Sequence, residues 1–508
     1  MGRVLVIAGS DSSGGAGIEA DQKVIAAHAC YALTATTALT AQDTSGVHAI
    51  HHVPSAFVRQ QIDLCLADIG ADVIKTGMLA SRATVVAVAE ALAEHPDIPV
   101  VLDPVVVSTS GAALLPPEAL RAVREELMGR ATVVTPNLPE ARLLLADAGL
   151  GHFGSGNVKE MAEMARAVQG LGGKWVLLKG GHCPMTRGGR EARVEAEREV
   201  VVDVLVGPGE GEWRFETPFW EGTSTHGTGC SLASAIASNM AKGMEVPQAV
   251  RAACRYVEAG IKTAPGWGKG NGPLNHFHST YTLPFAPGHF IDYLLERPDV
   301  APVWHQFVNH PFVLAMGDAT LPLESFKGYL IQDYLYLVHF ARANALASYK
   351  AKTLQDITAS ATIVAHIARE MKLHIDYCKG FGISVEEIES TEENMACTAY
   401  TRRYVLDIGQ SQDWIGLQLA LAPCLLGYGA LAAHLHKNPA SKRTEENPYW
   451  TWIENYVAED YVTAVKTGSE LIERHAVQQS MHRIEELVKI FIHATRMEIA
   501  FWEMYASA

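Results

Sequence analysis

Two hydrophobic periodicities divide the chain. Through the first half, short apolar or β-branched runs at Val4–Ala8, Val73–Thr76, Val100–Asp103, Val133–Thr135 and Trp175–Lys179 are mostly separated by stretches of helical period such as Arg82–Glu94 and Pro117–Met128. That alternation predicts a mostly parallel sheet with helices on both faces and ligands at the carboxyl ends of its strands. From Ile291 onward strand signals vanish and long helical periods follow one another, which predicts an all-helical bundle. Between the two patterns lie a Pro/Gly-rich run, Ala264–His276, and the segment Tyr281–Gly288, which reads as a short extended linker. The expected domains are therefore residues 1–278 and 291–508, joined by 279–290.

Within the helical half, Phe326, Leu330, Asp333, Leu337 and Phe340 recur at three- and four-residue spacing along Glu324–Tyr349, with Tyr336 beside them. The last helix repeats the arrangement, with Phe491, Glu498, Phe501, Trp502 and Tyr505 on one face. A carboxylate on an apolar stripe must be paired or functional, because burying an unpaired charge costs several kcal/mol. Two inward acids in one bundle suggest a pocket; a buried network with Arg or Tyr partners is the structural alternative. Cys424 stands one helical turn before Tyr428 and reads on its own as either an inert core thiol or a nucleophile.

Composition narrows the classes. A chain of 508 residues with 48% hydrophobic content can bury ample core, and a net charge of −15 argues against general nucleic-acid binding. Eight cysteines, none spaced C-x-x-C, indicate a reduced, cytoplasmic protein without disulfides or a zinc cluster. The apolar N-terminal run suits a buried first strand better than a signal peptide. Trp414–Leu435 carries no charge, but Gln418, Pro423, Gly427, Gly429 and His434 interrupt it, so it is expected to be a core helix and not a membrane span.

Thr225-His226-Gly227-Thr228-Gly229-Cys230 opens a helix read over Ser231–Lys242. Helix N-termini present unpaired N–H groups, and glycine admits an anion close to them, so this is an expected anion pocket, with an ordinary glycine turn as the alternative. The same dipole is expected to favour the anionic form of Cys230. A second glycine loop, Gly9–Gly17, follows the first strand; it lacks the Lys and Ser/Thr of a Walker loop and matches a dinucleotide fingerprint only loosely. A dinucleotide half-fold would have no need of the second anion site.

Ala8–Asp21, Thr40-Ala41-Gln42-Asp43-Thr44, Lys75–Leu79, Thr135–Glu140 and Thr225–Cys230, in that order, resemble the hydroxymethylpyrimidine/phosphomethylpyrimidine kinases of thiamine synthesis, within the ribokinase-like superfamily. The resemblance covers about residues 1–278 and implies an α/β fold, ATP as phosphoryl donor and Mg2+. It implies that Gly227, Thr228 and Gly229 cradle the phosphate, that Lys179 meets the nucleotide phosphates, and that Cys230 takes or steers the proton of the substrate hydroxyl. Asp103 and Glu140 would hold the metal through water, with helix capping as the other role open to each. Gly9, Ala16, Asp21, Gln42, Met78 and Val105 would surround the pyrimidine, Gln42 pairing with a ring nitrogen and an exocyclic amine unless it merely caps a turn. Pyridoxal kinases share the superfamily and are the nearest rival; the terminal cysteine of Thr225–Cys230 together with Gln42 favours the pyrimidine. The charged stretch Thr186–Glu199 reads as a solvated flap without chemistry.

His310-Pro311-Phe312, Gln332–Leu337, Pro423-Cys424 and Glu498–Trp502, also in order, resemble the thiaminase II family over about residues 292–508. The resemblance implies Cys424 as nucleophile and Glu498 as acid/base. Asp333 would pair with the aminopyrimidine edge or raise the reactivity of Cys424, and Tyr336, Tyr400, Tyr428 and Tyr456 would line the ring pocket. The product of this half, hydroxymethylpyrimidine, would be the substrate of the first, and fungal thiamine proteins carry this order of halves. The expectation is a bifunctional enzyme of thiamine biosynthesis and salvage acting on small pyrimidines and thiamine, without nucleic-acid or membrane partners, and homo-oligomeric. The alternative is a pyridoxal-type kinase fused to a non-catalytic pyrimidine-binding or regulatory helical domain. The presence of Cys230, Cys424 and Glu498 favours two working sites.

Overall fold

The computed structural model describes residues 1–106, 114–222, 224–444 and 446–505. It separates into two compact units, Met1–Thr280 and Tyr281–Ala508.

The first unit is built on β1 (Arg3–Ala8), whose Val4, Leu5, Val6 and Ile7 are completely buried. Leu5 and Ile7 pack into the core on one face of the sheet and Val4, Val6 and Ala8 into the core on the other, the two-residue alternation of a strand covered on both sides. The chain adds β2 (Tyr31–Thr36), the hairpin of β3 (Ala38–Asp43) and β4 (Gly46–His52), then β5 (Val73–Thr76), β6 (Val100–Leu102), β7 (Val133–Val134), β8 (Trp175–Leu178), β9 (Val200–Val206) and β10 (Glu212–Pro218). The main sheet runs β10-β9-β8-β7-β6-β5-β1-β2, with β3-β4 a separate two-stranded sheet. In the main sheet β2, β1, β5, β6, β7 and β8 pair in parallel, while β9 and β10 are antiparallel additions at one edge. Strand order reverses beside β1, so β1 and β5 flank the switch point where open α/β sheets bind ligands.

All five strands anticipated from apolar runs are present, and β2, β3, β4, β9 and β10 are additions. The Pro117–Met128 period is helical throughout but changes pitch, from α over Pro117–Ala122 to a π turn at Val123–Leu127, a change that apolar spacing does not register. The helix anticipated from Ser231 begins at Thr228, so Cys230 lies inside its first turn.

The second unit packs the long helices Leu323–Lys350, Leu354–Gly380, Trp414–Lys437 and Met481–Glu503 with shorter ones around a single aromatic-rich core. Trp414–Lys437 is long and apolar enough to cross a membrane, yet 78% of its most apolar window is buried in this core. Phe285, within the anticipated linker, packs 5.1 Å from Phe290 and belongs to the same core. A buried aromatic ring stabilises by more than an extended linker would, so that segment folds onto the helices.

Candidate active sites

The kinase-like unit gathers its chemistry at the carboxyl ends of β1, β5, β6 and β8. Gly227 precedes the Thr228–Ala241 helix at φ +77°, and a Cβ there would collide with the Gly15 carbonyl. Both its conformation and this approach require glycine, and they bring the loop after β1 against the helix start. At Gly229 a Cβ would stand 3.1 Å from Lys179 Nζ, so the lysine ammonium lies over the same first turn. Free N–H groups and a cation converge there, as an anion site demands.

Lys179 donates to Asp103 Oδ1 at 2.8 Å and stands 4.0 Å from Glu140 Oε2, while Thr135 Oγ1 donates to the same Asp103 oxygen at 2.9 Å. Burial works against the Lys179 charge, but the two carboxylates outweigh it and hold the ammonium protonated. Burial also opposes ionisation of Asp103, and the nearby Lys179 and Lys75 charges overcome it and lower its pKa. Glu140 is pushed up to about 7, chiefly by burial, with Lys179 opposing and Asp103 adding to the rise. Glu140 also does what capping would ask of it: its Oε2 accepts from Asn137 N–H at 2.8 Å and Asn137 Oδ1 accepts from its own N–H at 2.8 Å, a capping box on Leu138–Asp147.

Cys230 contradicts the helix-dipole expectation. Its thiol is pushed up to about 11, first by burial, with Asp21 and Asp103 adding to the rise against the opposing Lys75 charge. A helix N-terminus is worth roughly 1 kcal/mol, and loss of solvation around a partly enclosed thiol outweighs that. Asp21 is fully buried and its oxygens are taken by Lys75 Nζ at 2.8 Å and Ser234 Oγ at 2.7 Å. This corrects its expected place against the pyrimidine: Asp21 has no exposed surface and is the partner of Lys75.

The remaining anticipated residues fall into two groups, Gly9, Met78 and Val105 in one, and Ala16 and Gln42 on either side of the Asp11–His226 pair in the other. Met78 and Val105 share a small apolar cluster with Ala38 and Ala80, and a Cβ on Gly9 would run into Met78 Cε. Gln42 projects from the β3–β4 hairpin at its register shift, 3.3 Å from His226 Nε2. Ala16 N–H donates to Asp11 Oδ2 at 2.8 Å. Asp11, Lys75 and His226 are the participants that sequence reasoning passed over. Burial opposes the Asp11 charge, yet donors from His226, Ser13 and Ala16 outweigh it and hold the carboxyl at about 2. The signal for Lys75 was legible: a lysine within the apolar strand Val73–Thr76 must have a buried partner.

In the helical unit, Leu323–Lys350 presents Tyr329, Asp333 and Tyr336 to the interior, and Met481–Glu503 presents Glu498. Burial pushes Asp333 up to about 7, and it pushes Glu498 up to about 8, with the Asp333 charge adding to the second shift. Asp333, Glu498 and Cys424 all act electrostatically on both Tyr329 and Tyr428, whose phenols burial drives well above their ordinary range. The three groups therefore lie near the same pair of tyrosines. Tyr336 stacks on Tyr400 at 5.3 Å and Tyr428 contacts Tyr456 at 5.1 Å, so the four anticipated tyrosines form two ring pairs. Tyr400 sits on a π-helical turn, Ala399–Leu406, and a changed pitch of this kind is frequent at functional sites.

Three buried polar atoms here, Tyr329 Oη, Tyr336 Oη and Glu498 Oε1, have no hydrogen bond of normal geometry, although the Tyr400 and Tyr428 hydroxyls lie close enough to ease the Glu498 charge. Each such atom costs about 1–3 kcal/mol, a cost that a polar ring in the pocket would relieve. Two residues outside the anticipated set lie beside Asp333: Tyr329, and His374, whose Nδ1 is 3.9 Å from Asp333 Oδ2.

Comparison with known proteins covers both units. A phosphomethylpyrimidine kinase profile matches residues 11–275 and a TENA/THI-4/PQQC family profile matches residues 297–508. The chain is 42% identical over 500 residues to a Schizosaccharomyces pombe protein named as a putative hydroxymethylpyrimidine/phosphomethylpyrimidine kinase, spanning 98% of this chain and 90% of that one. It is 33% identical to a Saccharomyces cerevisiae hydroxymethylpyrimidine/phosphomethylpyrimidine kinase, across 98% of this chain and 94% of the other. Among solved structures, the ADP complex of Bacillus subtilis pyridoxal kinase is 34% identical with a TM-score of 0.47, covering 54% of this chain and 97% of that enzyme.

Proposed function

We propose, for a chain that belongs to the hydroxymethylpyrimidine/phosphomethylpyrimidine kinase family and carries a TENA/THI-4/PQQC-family unit behind its kinase unit, a bifunctional role in thiamine biosynthesis and salvage. The first unit phosphorylates 4-amino-5-hydroxymethyl-2-methylpyrimidine to its mono- and diphosphate with ATP. The second hydrolyses thiamine or aminomethylpyrimidine to hydroxymethylpyrimidine. The observation that carries this reading is the pairing of a cation-topped helix N-terminus, Lys179 over Gly229, in one unit with two buried acids, Asp333 and Glu498, that lie near the same tyrosines in the other.

In the kinase site the Gly227–Gly229 turn and Lys179 receive the transferring phosphoryl group, whose loose transition state asks for positioned positive charge and little covalent help. Cys230 is a neutral thiol at rest, so it steers the substrate hydroxyl by hydrogen bonding while that hydroxyl's proton passes to an oxygen of the transferring phosphoryl group as the bond to phosphorus forms. Met78 and Val105 sandwich the ring and Gln42 reads its edge. Mg2+ commonly binds through one or two carboxylates plus waters and phosphate oxygens, and Asp103 and Glu140 fit that donor set; they would hold the ion through water. When bound, the ion neutralises phosphate charge.

In the helical site, Glu498 with a pKa of about 8 is protonated at neutral pH and donates to a ring nitrogen as Cys424 sulfur adds to the electron-poor pyrimidine. The ring electrons form an exocyclic double bond as the substituent leaves with its own bonding pair, as the neutral thiazole of thiamine or as ammonia from the protonated amine; water adds to the methylene and gives up a proton, and loss of the thiolate restores the aromatic ring as the ring N–H returns its proton to Glu498. Asp333 pairs with the aminopyrimidine edge or raises the reactivity of Cys424. The protein is read as cytoplasmic and homo-oligomeric, without membrane or nucleic-acid partners.

Mass spectrometry of products from aminomethylpyrimidine tests the whole reading. Hydroxymethylpyrimidine is expected without ATP, and its mono- and diphosphate with ATP and Mg2+. Faster phosphorylation of pyridoxal than of the pyrimidine would overturn the kinase assignment, and an unchanged aminomethylpyrimidine and thiamine pool would overturn the hydrolase assignment.

A further inference from the structure

Gln42 follows a β-bulge: the β3–β4 register shifts between Ala41 and Gln42, a device that re-aims a side chain. Its backbone is clasped by Ser12, whose Oγ accepts from Gln42 N–H at 2.9 Å and donates to the Gln42 carbonyl at 2.8 Å. Two groups flank its amide. His226 Nε2 is 3.3 Å from Gln42 Nε2 and 2.8 Å from Asp11 Oδ2. Thr40 Oγ1 is 3.2 Å from Gln42 Oε1 and 2.8 Å from the Ser10 carbonyl.

Counting protons decides which way the amide faces. Asp11 is an ionised acceptor, already receiving hydrogen bonds from Ser13 and from the Gly15 and Ala16 amides, so the contact with His226 requires a proton on Nε2. That holds for the neutral and the charged ring alike, and a protonated Nε2 cannot accept from an NH2 group. Thr40 has one hydroxyl proton, and the Ser10 carbonyl, which can only accept, takes it at the shorter distance; Thr40 Oγ1 is left as an acceptor. The amide oxygen therefore belongs beside His226 and the amide nitrogen beside Thr40. In the opposite sense donor faces donor at His226, and the Thr40 oxygen meets a second acceptor.

We propose that Asp11, His226 and Thr40 lock the Gln42 amide in this single orientation and so make the kinase site selective for a ring bearing an exocyclic amine beside an unprotonated ring nitrogen. The proposal rests on Gln42 reading the ring edge. The locked oxygen accepts from the amine and the locked NH2 donates to the ring nitrogen. A 4-oxo ring presents the reverse order, a carbonyl beside a ring N–H. A freely turning amide would match either ring by rotating; the locked one matches only the amine. His226 and Thr40 are thus positioning residues.

The test compares kcat/KM for 4-amino-5-hydroxymethyl-2-methylpyrimidine and its 4-oxo analogue, in the full chain, for wild type, His226→Leu, Thr40→Val and Thr40→Ser. Wild type is expected to prefer the amino ring by at least about 10²-fold, as sites built around paired hydrogen bonds do. Either lock-breaking variant should reduce that ratio at least about tenfold, while Thr40→Ser keeps it. A merely structural role lowers activity on both rings together and leaves the ratio unchanged; an unchanged ratio in both His226→Leu and Thr40→Val overturns the lock. Wild type that phosphorylates neither ring overturns the assignment of Gln42 to the ring, and the lock with it. Wild type that turns over the amino ring while both variants retain its preference overturns the lock alone.

Discussion

Replacing Glu498 with glutamine should make the helical unit more stable and less active, by amounts that follow from its burial. The carboxyl titrates at about 8 in the folded unit against 4.5 for the free side chain, because burial disfavours its charge. The folded state therefore binds a proton the unfolded state releases, and stability falls as pH rises through the window between those two values. At pH 7 the unfolded chain has ionised its glutamate by about 2.5 units while the folded one has barely begun, a penalty of about 3 kcal/mol; above pH 8 it levels off near about 5 kcal/mol. Glutamine is neutral and nearly isosteric, so it removes this penalty and keeps the packing. For a unit of this size about 1 kcal/mol corresponds to roughly 2–4 °C in Tm. Melting curves of wild type and Glu498→Gln between pH 5 and pH 9 should diverge with rising pH, the variant melting higher by roughly 6 °C or more at pH 7. Hydrolysis of aminomethylpyrimidine should meanwhile fall by about 10²-fold or more, since an amide cannot donate and recover the ring proton. A Tm difference that stays flat with pH, or a variant that melts lower than wild type at pH 9, would refute burial as the cause of the shift and remove the basis for Glu498 as a general acid.

Cys230→Ala should lose about 10²-fold or more in phosphorylation with little change in fold, and the pH dependence of Cys230 alkylation in the wild type should have its midpoint near 11, not in the ordinary thiol range. Cys424→Ser should stop release of hydroxymethylpyrimidine while sparing its phosphorylation, Cys230→Ala should do the reverse, and a mixture of the two variants should restore the serial route; loss of both activities in either folded variant would contradict independent sites. Lys75→Met should destabilise the first unit by up to about 3–5 kcal/mol, read from denaturant midpoints, because it leaves Asp21, whose charge burial already opposes, without its cation; the double variant with Asp21→Asn should recover part of that loss.

Much of both sites was legible because the residues that carry them are constrained locally. Val4–Ala8 reads as a central strand from its unbroken apolar run, since a parallel strand covered on both faces has no polar side. Asp333 and Glu498 were found by spacing alone, because a helix of 3.6 residues per turn decides which face each one joins before any partner is known. The Asn137–Glu140 capping box is likewise local. β2 and the β3–β4 hairpin were missed because one lies at the sheet edge with a threonine-rich pattern and the other stands outside the main sheet, where the apolar code is weak.

What only the tertiary structure decided are the quantities that depend on depth and on distant partners. Asp11 meets His226 across 215 positions, and Asp21 meets Lys75 across 54, so neither pair has a spacing that a sequence pattern could carry. The sign of the Cys230 shift was decided the same way. Its place in a helix first turn is a local fact that favours the thiolate, whereas the burial and the neighbouring carboxylates that favour the thiol are assembled by folding. Local geometry fixes which groups can act, and the packed interior, through desolvation and the charges it brings near, fixes in which protonation state they do so.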